Sequence, residues 1–232
     1  MSEKFFQIAI DGPVGSGKST VTRLVAQRLG FLYVDTGAMY RVVALLGKRR
    51  GADFADEAAI AALLHETRIG LLPPTPEQKD GRLITVLVNG EDVSWQIRSV
   101  EVSKLVPQVA AMPTVRQKLV ILQQEMARTN NVVMEGRDIT YRVLPNANLK
   151  IYLTASDEVR ALRRHEQLLQ KGEEVALSDV AADLHSRDEM DMQRITDPLK
   201  IVAGAWVLDT STLTIDQVVD LICEKARSLM ET

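Results

Sequence analysis

The feature that most constrains this chain is the junction between its first apolar run and its first helical pattern, IAIDGPVGSGKSTVTRL at positions 8–24. Residues 5–10 form a short apolar run that is typical of a buried strand. The apolar residues of positions 21–29 recur at helical spacing and stop at Gly30, a common helix terminator. The pattern therefore predicts a strand, a tight loop and a helix in close succession.

The loop of this junction predicts a binding site for a nucleoside triphosphate. It fits the spacing Gly, any four residues, Gly, Lys, Ser, whose glycines let backbone N–H groups curl around phosphate. Lys18 can reach the β- and γ-phosphates, and the Ser19 hydroxyl can bind Mg²⁺. The alternative is a glycine-rich turn that only starts a helix, but the strand and helix on either side favour phosphate binding. The predicted ATP-binding residues are Gly12, Pro13, Val14, Gly15, Ser16, Gly17, Lys18, Ser19 and Thr20.

Length and composition fit a single domain over 1–232. The chain is 46% hydrophobic and 25% charged, and no apolar run approaches the ~20 residues that span a membrane. The first strand begins so near the N-terminus that we expect no signal peptide, and hence a cytoplasmic protein without a membrane partner. The formal charge of −3 argues against general nucleic-acid binding. Cys223 lies among helix-spaced apolar residues and is expected to be a buried thiol.

Further strand-like runs predict the fold class. They lie at 31–34, 132–135, 149–154 and 205–208, separated by helix-length segments. This alternation predicts an α/β fold with a parallel five-stranded sheet covered by helices on both faces. Ligands of such sheets bind beyond the carboxyl ends of the strands. Polar residues stand at all of these ends: Asp11, Asp35, Glu135, Thr154 and Asp209.

Two segments interrupt the alternation. Residues 68–94 alternate in hydropathy, with turn sequences at Asp80-Gly81 and Asn89-Gly90, which predicts a small antiparallel insertion within 66–107. The second segment, 157–194, is charged and helical. Phosphoryl transfer requires charge neutralisation and exclusion of water, so we predict that 157–194 forms a helical lid.

The lid carries two constellations of charged residues. Arg160, Arg163 and Arg164 share one helical face by spacing, and so do Arg187, Asp191 and Arg194. The first set can be a solvated cationic face or can hold phosphate. In the second set, Asp191 can pair with both arginines, or all three can converge on a ligand that bears hydroxyls and a phosphate.

The segment DTGAMYR at 35–41 follows the second strand. Thr36 and Arg41 can grip an acceptor phosphate, or they can serve as a helix cap and a surface cation. Asp35 and Glu135 end strands beside the phosphate loop and are candidates to hold Mg²⁺ through its waters together with Ser19. Either carboxylate can instead be an N-cap or a turn residue.

With these motifs in place, the chain resembles the bacterial cytidylate kinases, which are nucleoside monophosphate kinases. The resemblance rests on IDGPVGSGKST, DTGAMYR, GEDVSWQIR, VAAMPTVRQKL, EGRD, RDEMDMQR with the following DPL, and VLDTSTLTIDQVV, in order along nearly the whole chain. It implies Mg²⁺-dependent transfer of the γ-phosphoryl group of ATP to CMP or dCMP. Such a family member is expected to have an insertion that binds the nucleoside monophosphate and a lid.

The resemblance also implies roles for individual residues. Arg41, Arg137 and Arg194 are expected to meet the acceptor phosphate, and Arg187 and Asp191 to lie near its phosphate and sugar. Arg116 and Asp138 are expected to read the base: cytosine offers an N4 amino donor to a carboxylate, and its O2 and N3 acceptors suit a guanidinium. Three positions depart from the family pattern, Pro107 for serine, Glu135 for aspartate, and Ile139–Arg142 for a smaller stretch.

The sequence therefore supports the hypothesis of a monomeric enzyme that converts ATP and CMP to ADP and CDP. The acceptor phosphate is largely ionised at neutral pH, so no general base is required. Lys18, Arg163 and Arg164 are the predicted catalytic residues, because they can carry the charge of the transferring group. Three alternatives stay open: a kinase for UMP, AMP or a metabolite hydroxyl, a phosphate-loop ATPase or GTPase that switches a partner, and a regulatory protein that binds nucleotide without turnover.

Overall fold

The computed structural model describes residues 5–170 and 172–231. Its helices and strands follow one another in this order: β1 (Gln7–Asp11), α1 (Lys18–Leu29), β2 (Leu32–Asp35), α2 (Thr36–Arg50), α3 (Glu57–Ala62), β3 (Ile69–Leu72), β4 (Thr85–Val88), β5 (Glu91–Asp92), α4 (Val100–Ala111), α5 (Pro113–Arg128), β6 (Val132–Gly136), β7 (Leu149–Thr154), α6 (Asp157–Leu169), α7 (Leu177–Gln193), β8 (Trp206–Asp209) and α8 (Ile215–Met230). A 3₁₀ turn at Gln96–Arg98 precedes α4, and a π-helical turn at Ile139–Val143 follows β6.

The main sheet confirms the predicted fold class. It has five strands in the order β2-β6-β1-β7-β8, and all its pairings are parallel. All five carboxyl ends therefore meet at one edge of the sheet, as the sequence predicted. This strand order places β1 at the centre of the sheet, so that the loop after β1 is flanked by the ends of β6 and β7.

Helices cover both faces because successive strand residues point to opposite sides. Ile8 and Ile10 of β1 pack with buried residues of α1 and α8, whereas Ala9 packs with the larger cluster that includes α2 and α5. Cys223 belongs to the first of these cores and is 1% exposed, which confirms the predicted buried thiol. Both faces of the sheet are thus covered by apolar side chains, and the polar residues lie at its edges.

The segment after α3 forms the predicted antiparallel insertion. Strands β3, β4 and β5 pair antiparallel, and the turn between β4 and β5 is Asn89-Gly90, both residues having positive φ, 51° and 89°. Such φ values define the hairpin turn that Asn-Gly favours. The boundary predicted at 107 falls inside α4, which contains Pro107 and continues to Ala111.

The predicted lid segment consists of α6 and α7. The two helices pack against each other around Ala161, Val180 and Leu184, and Val14 of the phosphate loop packs onto this small core. The helices therefore rest directly on the loop after β1. Within the described part of the chain, no helix is long and apolar enough to cross a membrane.

Candidate active site

The loop after β1 adopts the geometry that phosphate binding needs. Gly12, Gly15 and Gly17 have φ values of 155°, 77° and 87°, and a Cβ on Gly12 would lie 2.0 Å from the carbonyl oxygen of Leu153. Only glycine fits at position 12, because β7 passes so close. Gly17 caps α1 without a side-chain hydrogen bond, so the first N–H groups of that helix face the loop.

Lys18 is held inside this loop. Its ammonium group donates to the carbonyl oxygen of Pro13, at 2.5 Å, and to the hydroxyl of Ser16, at 3.3 Å. Burial and the nearby charge of Arg137 lower the pKa of Lys18. A cation buried under these conditions is stabilised when an anion arrives, and the phosphates of a triphosphate supply that anion.

An ion pair between α6 and α7 holds the backbone of the phosphate loop. Asp188 of α7 accepts from the backbone N–H of Val14 at 3.0 Å, and Arg160 of α6 donates to the carbonyl oxygen of Val14 at 2.8 Å. Arg160 and Asp188 also pair with each other and are both buried. Sequence spacing grouped Arg160 with Arg163 and Arg164, but the structure uses it to hold the loop backbone. Asp188 was missed, because nothing in its local pattern distinguishes it from the other acids of α7.

Of the three predicted metal residues, Asp35 and Glu135 lie at the ends of the paired strands β2 and β6, and Ser19 lies in the first turn of α1. Ser19 donates to one oxygen of the Glu135 carboxylate at 3.0 Å, and Tyr33 donates to the other at 2.5 Å. Burial and the neighbouring Asp35 raise the pKa of Glu135. Asp35 caps α2 through Ala38 N at 3.0 Å and lies 3.6 Å from Arg98. The helix-cap interpretation of Asp35 is therefore confirmed.

This donor set fits Mg²⁺ held jointly with phosphates. Mg²⁺ prefers oxygen ligands, keeps several waters, and is usually bound by one or two carboxylates plus substrate phosphates. Ser19 and Glu135 supply a hydroxyl and a carboxylate beside the phosphate loop. The described residues contain no group of three or more His, Cys, Asp or Glu side chains that forms a metal cage by itself.

Arginines from four elements surround the start of α2. Arg41 donates to the Ile97 carbonyl at 3.1 Å and to the Ser103 hydroxyl at 2.7 Å. Burial lowers the pKa of Arg41, and the positive charges of Arg98, Arg187 and Arg164 lower it further. A cluster of positive charges of this kind favours the binding of an anion. Arg98 was missed as a site residue, although its motif GEDVSWQIR contributed to the resemblance.

Thr36 begins α2 beside this arginine group. It is buried, and its hydroxyl donates to the carbonyl oxygen of Glu135 at 2.7 Å. The bond ties α2 to the end of β6, so the side chain supports the rim of the site. Its assignment to substrate binding stays a prediction.

The three charged residues Arg187, Asp191 and Arg194, which were grouped by spacing, do not form one cluster. Asp191 accepts from Arg137 at 2.5 Å and lies 4.0 Å from Arg194, whereas Arg187 pairs with Asp183 at 3.0 Å. The interpretation in which Asp191 pairs with both arginines of its own segment is therefore wrong for Arg187. Arg137 reaches across from the end of β6, which a spacing argument within α7 cannot anticipate.

Arg116 and Asp138, the predicted base readers, form a buried ion pair. Arg116 is 1% exposed and lies over the Tyr40 ring, with its guanidinium carbon 5.5 Å from the ring centroid. Arg194 approaches the other oxygen of Asp138 at 3.7 Å. Burial raises the pKa of Asp138, while Arg116 and Arg194 oppose this rise. The fold has therefore placed a charged, fully desolvated donor and acceptor side by side.

Arg163 and Arg164 point to different parts of the site. Arg163 donates to the hydroxyl and the carbonyl of Thr210, at 3.0 and 2.7 Å, and so contacts the loop after β8. Arg164 is close enough to Arg41 to affect its pKa. The two arginines were predicted to act together; Arg163 is engaged with Thr210, and Arg164 is within electrostatic range of Arg41.

Asp11, the last residue of β1, connects the phosphate loop to the turn that follows Asp138. It is fully buried and accepts from Ile139 N, Thr140 N and the Thr140 hydroxyl at 2.8, 2.8 and 2.6 Å. Burial raises the pKa of Asp11 to about 6. Asp11 thereby anchors the π-helical turn that begins directly after Asp138. The sequence placed Asp11 at the rim but without this role.

A phosphate loop with a buried lysine, faced by helices α6 and α7 and by arginines from several elements, defines a phosphate-loop phosphotransferase. A model of the family described as cytidylate kinase matches residues 8–228. The chain belongs to the cytidylate kinase family.

Curated relatives agree with this family, and one solved structure has a similar fold. The cytidylate kinase of Pelotomaculum thermopropionicum is 47% identical over 218 residues, 94% of each chain, and that of Desulfitobacterium hafniense is 46% identical over 230 residues, 99% of this chain and 96% of the relative. A crystal structure of an uncharacterized protein from Eubacterium ventriosum has a TM-score of 0.54 at 12% identity, with 97% of this chain and 99% of that chain covered. This last likeness concerns the fold alone.

Proposed function

We propose that the protein transfers the γ-phosphoryl group of ATP to CMP or dCMP and releases ADP with CDP or dCDP. The observation that carries the proposal is the buried pair of Arg116 and Asp138, set among arginines beside a phosphate loop. Family membership and the cytidylate kinase names of the relatives support the same reaction.

The buried pair suits cytosine in particular. Asp138 can accept from the N4 amino group, and Arg116 can donate to O2 and N3. Uracil has an O4 acceptor in place of the amino group, so it would face the carboxylate acceptor to acceptor. An unsatisfied pair of this kind in a closed site costs about 1–3 kcal/mol, which is enough to select between the bases.

Catalysis in this proposal is positioning and charge neutralisation. Lys18 neutralises the phosphates of ATP, and Arg41, Arg137 and Arg194 aim the acceptor phosphate for in-line attack. Arg187 and Asp191 bind the acceptor on the lid side. The oxygen that attacks is already ionised, so no side chain has to remove a proton.

Mg²⁺ is the proposed cofactor, held by Ser19 and, through waters, by Glu135 and Asp35. When bound, it neutralises charge on the β- and γ-phosphates. The hydroxyl of Tyr33 keeps Glu135 directed to this place by holding its second oxygen. The longer side chain of Glu135 is thus braced at both of its oxygens.

The proposal also covers the domain organisation, the localisation and the partners of the protein. Residues 66–107 are the insertion that binds the nucleoside monophosphate, and 157–194 are the lid. A cytoplasmic monomer that uses ATP and CMP, without nucleic acid or membrane partners, stays the prediction made from the sequence.

The test is a coupled ADP-release assay with ATP, Mg²⁺ and a panel of CMP, dCMP, UMP and AMP. We expect CMP and dCMP to be converted with the highest kcat/KM. Equal rates with UMP would remove the base-reading role of Arg116 and Asp138. Triphosphate hydrolysis without any acceptor would favour the phosphate-loop ATPase alternative instead.

We expect Arg164→Ala to reduce kcat more strongly than Arg163→Ala. Arg164 contributes to the arginine group around Arg41, whereas Arg163 is engaged with Thr210. Loss of one charge that stabilises the transition state typically costs about 10²–10³-fold in kcat. Initial rates at saturating ATP and CMP measure the difference. A larger loss of kcat in Arg163→Ala than in Arg164→Ala would contradict this expectation and support the shared role predicted from sequence.

A further inference from the structure

The base reader Arg116 has a second acidic partner, which lies outside the lid helices. Its Nε donates to a carboxylate oxygen of Asp197 at 3.0 Å, its NH1 donates to the Ala110 carbonyl at 3.1 Å, and its NH2 contacts Asp138. All three nitrogens of the guanidinium are therefore engaged. One further N–H on each of NH1 and NH2 is left for a ligand.

Asp197 belongs to a segment that folds back from α7, residues 194–199, here called the strap. The carbonyl of Asp197 accepts from Arg194 Nε at 2.7 Å, Leu199 N donates to the Asp191 carbonyl at 2.8 Å, and Tyr141 donates to the Pro198 carbonyl at 2.5 Å. Leu199 is 3% exposed. The strap is thus fastened both to the lid and to the π-helical turn after Asp138.

The backbone of Asp197 suits its residue type. Its φ is 49°, in the left-handed region, where only Asn89 accompanies it among the described residues that are not glycine. Aspartate and asparagine tolerate this conformation better than other side chains because they can hydrogen-bond locally. The turn directs the carboxylate inward, so that its side chain is 16% exposed and also lies 3.6 Å from Arg142.

We propose that Asp197 is a positioning residue that sets the selectivity for cytosine by holding Arg116 from its Nε side. The inference rests on the proposed function. Without Asp197, the Nε and NH2 groups of Arg116 can turn together onto Asp138 and form a side-on, two-bond pair. Both oxygens of Asp138 would then accept from Arg116, and the N4 amino group of cytosine would have to share an oxygen that is already bonded and turned away from it.

The strap also joins base reading to the lid. Asp191 and Arg194 are both assigned to the acceptor site; Asp191 precedes the strap and Arg194 is its first residue. The carbonyls of Asp191 and Asp197 are hydrogen-bonded within this region. Asp197 reaches Arg116 only when 194–199 is folded onto the π-helical turn. A nucleotide that draws the lid residues onto its phosphate therefore also secures the residue that holds Arg116.

The test compares Asp197→Gly, which removes the carboxylate and tolerates the positive φ, with Asp197→Asn, which keeps an acceptor oxygen. Tyr141→Phe is the matched control, because it removes a strap contact without touching Arg116. Each full-length variant is assayed with CMP and with UMP at saturating ATP and Mg²⁺, and its thermal unfolding is recorded.

We expect Asp197→Gly to raise the KM for CMP by about 10- to 100-fold, the cost of leaving charged, buried groups mispaired. Its KM for ATP should change by less than about twofold, and the ratio of kcat/KM for CMP to that for UMP should fall by at least about fivefold. Asp197→Asn should lie between the wild type and Asp197→Gly, since the amide oxygen can still accept from Nε.

Two outcomes would overturn the inference: an unchanged CMP to UMP ratio in both Asp197 variants, or an equal loss of that ratio in Tyr141→Phe. The second would show that the strap acts as a tether and that the carboxylate has no special role. If the wild-type protein itself does not phosphorylate CMP, it is the proposed function that fails, and the same assay distinguishes the two failures.

Discussion

Replacement of Lys18 by methionine is expected to lower kcat by about 10³-fold while the fold is retained. The ammonium group is the only cation that the phosphate loop itself supplies, and its contacts are to the Pro13 carbonyl and the Ser16 hydroxyl. Because the methionine stem has a similar volume, the packing around the loop should persist.

The stability of this variant should not fall together with its activity. Burial lowers the pKa of Lys18, so without a bound anion the amine destabilises the folded state at pH values below its unfolded pKa, and by the full amount below its lower folded pKa. Methionine removes the cost of burying the ammonium charge. It also removes the hydrogen bond to the Pro13 carbonyl, which lowers the stability by about 1 kcal/mol. We therefore expect a Tm within a few degrees of the wild type.

Coupled-assay rates and thermal unfolding, each with and without ATP, measure both effects. Lys225→Met is the matched control, because Lys225 is exposed on α8, and it should leave kcat unchanged. If Lys18→Met retained more than about a tenth of the wild-type kcat, the transferring charge would have to be carried elsewhere in the site.

Replacement of Asp138 by asparagine is the second change with a large expected effect. The amide keeps the size of the side chain but can turn an N–H donor toward the amino group of cytosine. We expect kcat/KM for CMP to fall by about 100-fold, equivalent to about 3 kcal/mol, and the value for UMP to change much less. Arg116 keeps its contact with Asp197, so the variant should fold.

Kinetics with CMP and UMP on the same preparation decide this prediction, with Asp179→Asn in the exposed first turn of α7 as the control. Mild acid should act in the same direction as the substitution. Burial raises the pKa of Asp138, so lowering the pH protonates a carboxyl that then donates and no longer only accepts. The preference for CMP over UMP should accordingly decrease with decreasing pH, and a constant ratio would contradict the base-reading role.

Much of the site was predictable because it depends on local rules. A glycine loop between a strand and a helix, with Lys18 and Ser19 at its end, has few other uses, and parallel strands bring their polar ends to one edge. Asp35 was correctly recognised as an N-cap candidate from its position before α2. The hairpin at Asn89-Gly90 was predicted because its turn needs positive φ at both residues.

Other residues depend on contacts between segments distant in sequence. Tyr33 and Glu135 meet only because β2 pairs with β6, and Asp188 reaches Val14 only because α7 packs on the phosphate loop. Arg163 and Arg164 are neighbours on one helix, yet Arg163 is bonded to Thr210 whereas Arg164 is close enough to Arg41 to lower its pKa. Spacing along a helix identifies which side chains share a face but not what that face contacts.

The amino-acid sequence by itself determined the strand–loop–helix unit, the parallel sheet and the chemical types available at its rim, because backbone conformation and hydrophobic periodicity are local properties. Tertiary structure alone decided which charges distant in sequence pair: Asp191 with Arg137, and Arg116 between Asp138 and Asp197. Electrostatic interactions fall off over a few ångströms and act through space, so pairing depends on how the segments pack and is absent from their order along the chain.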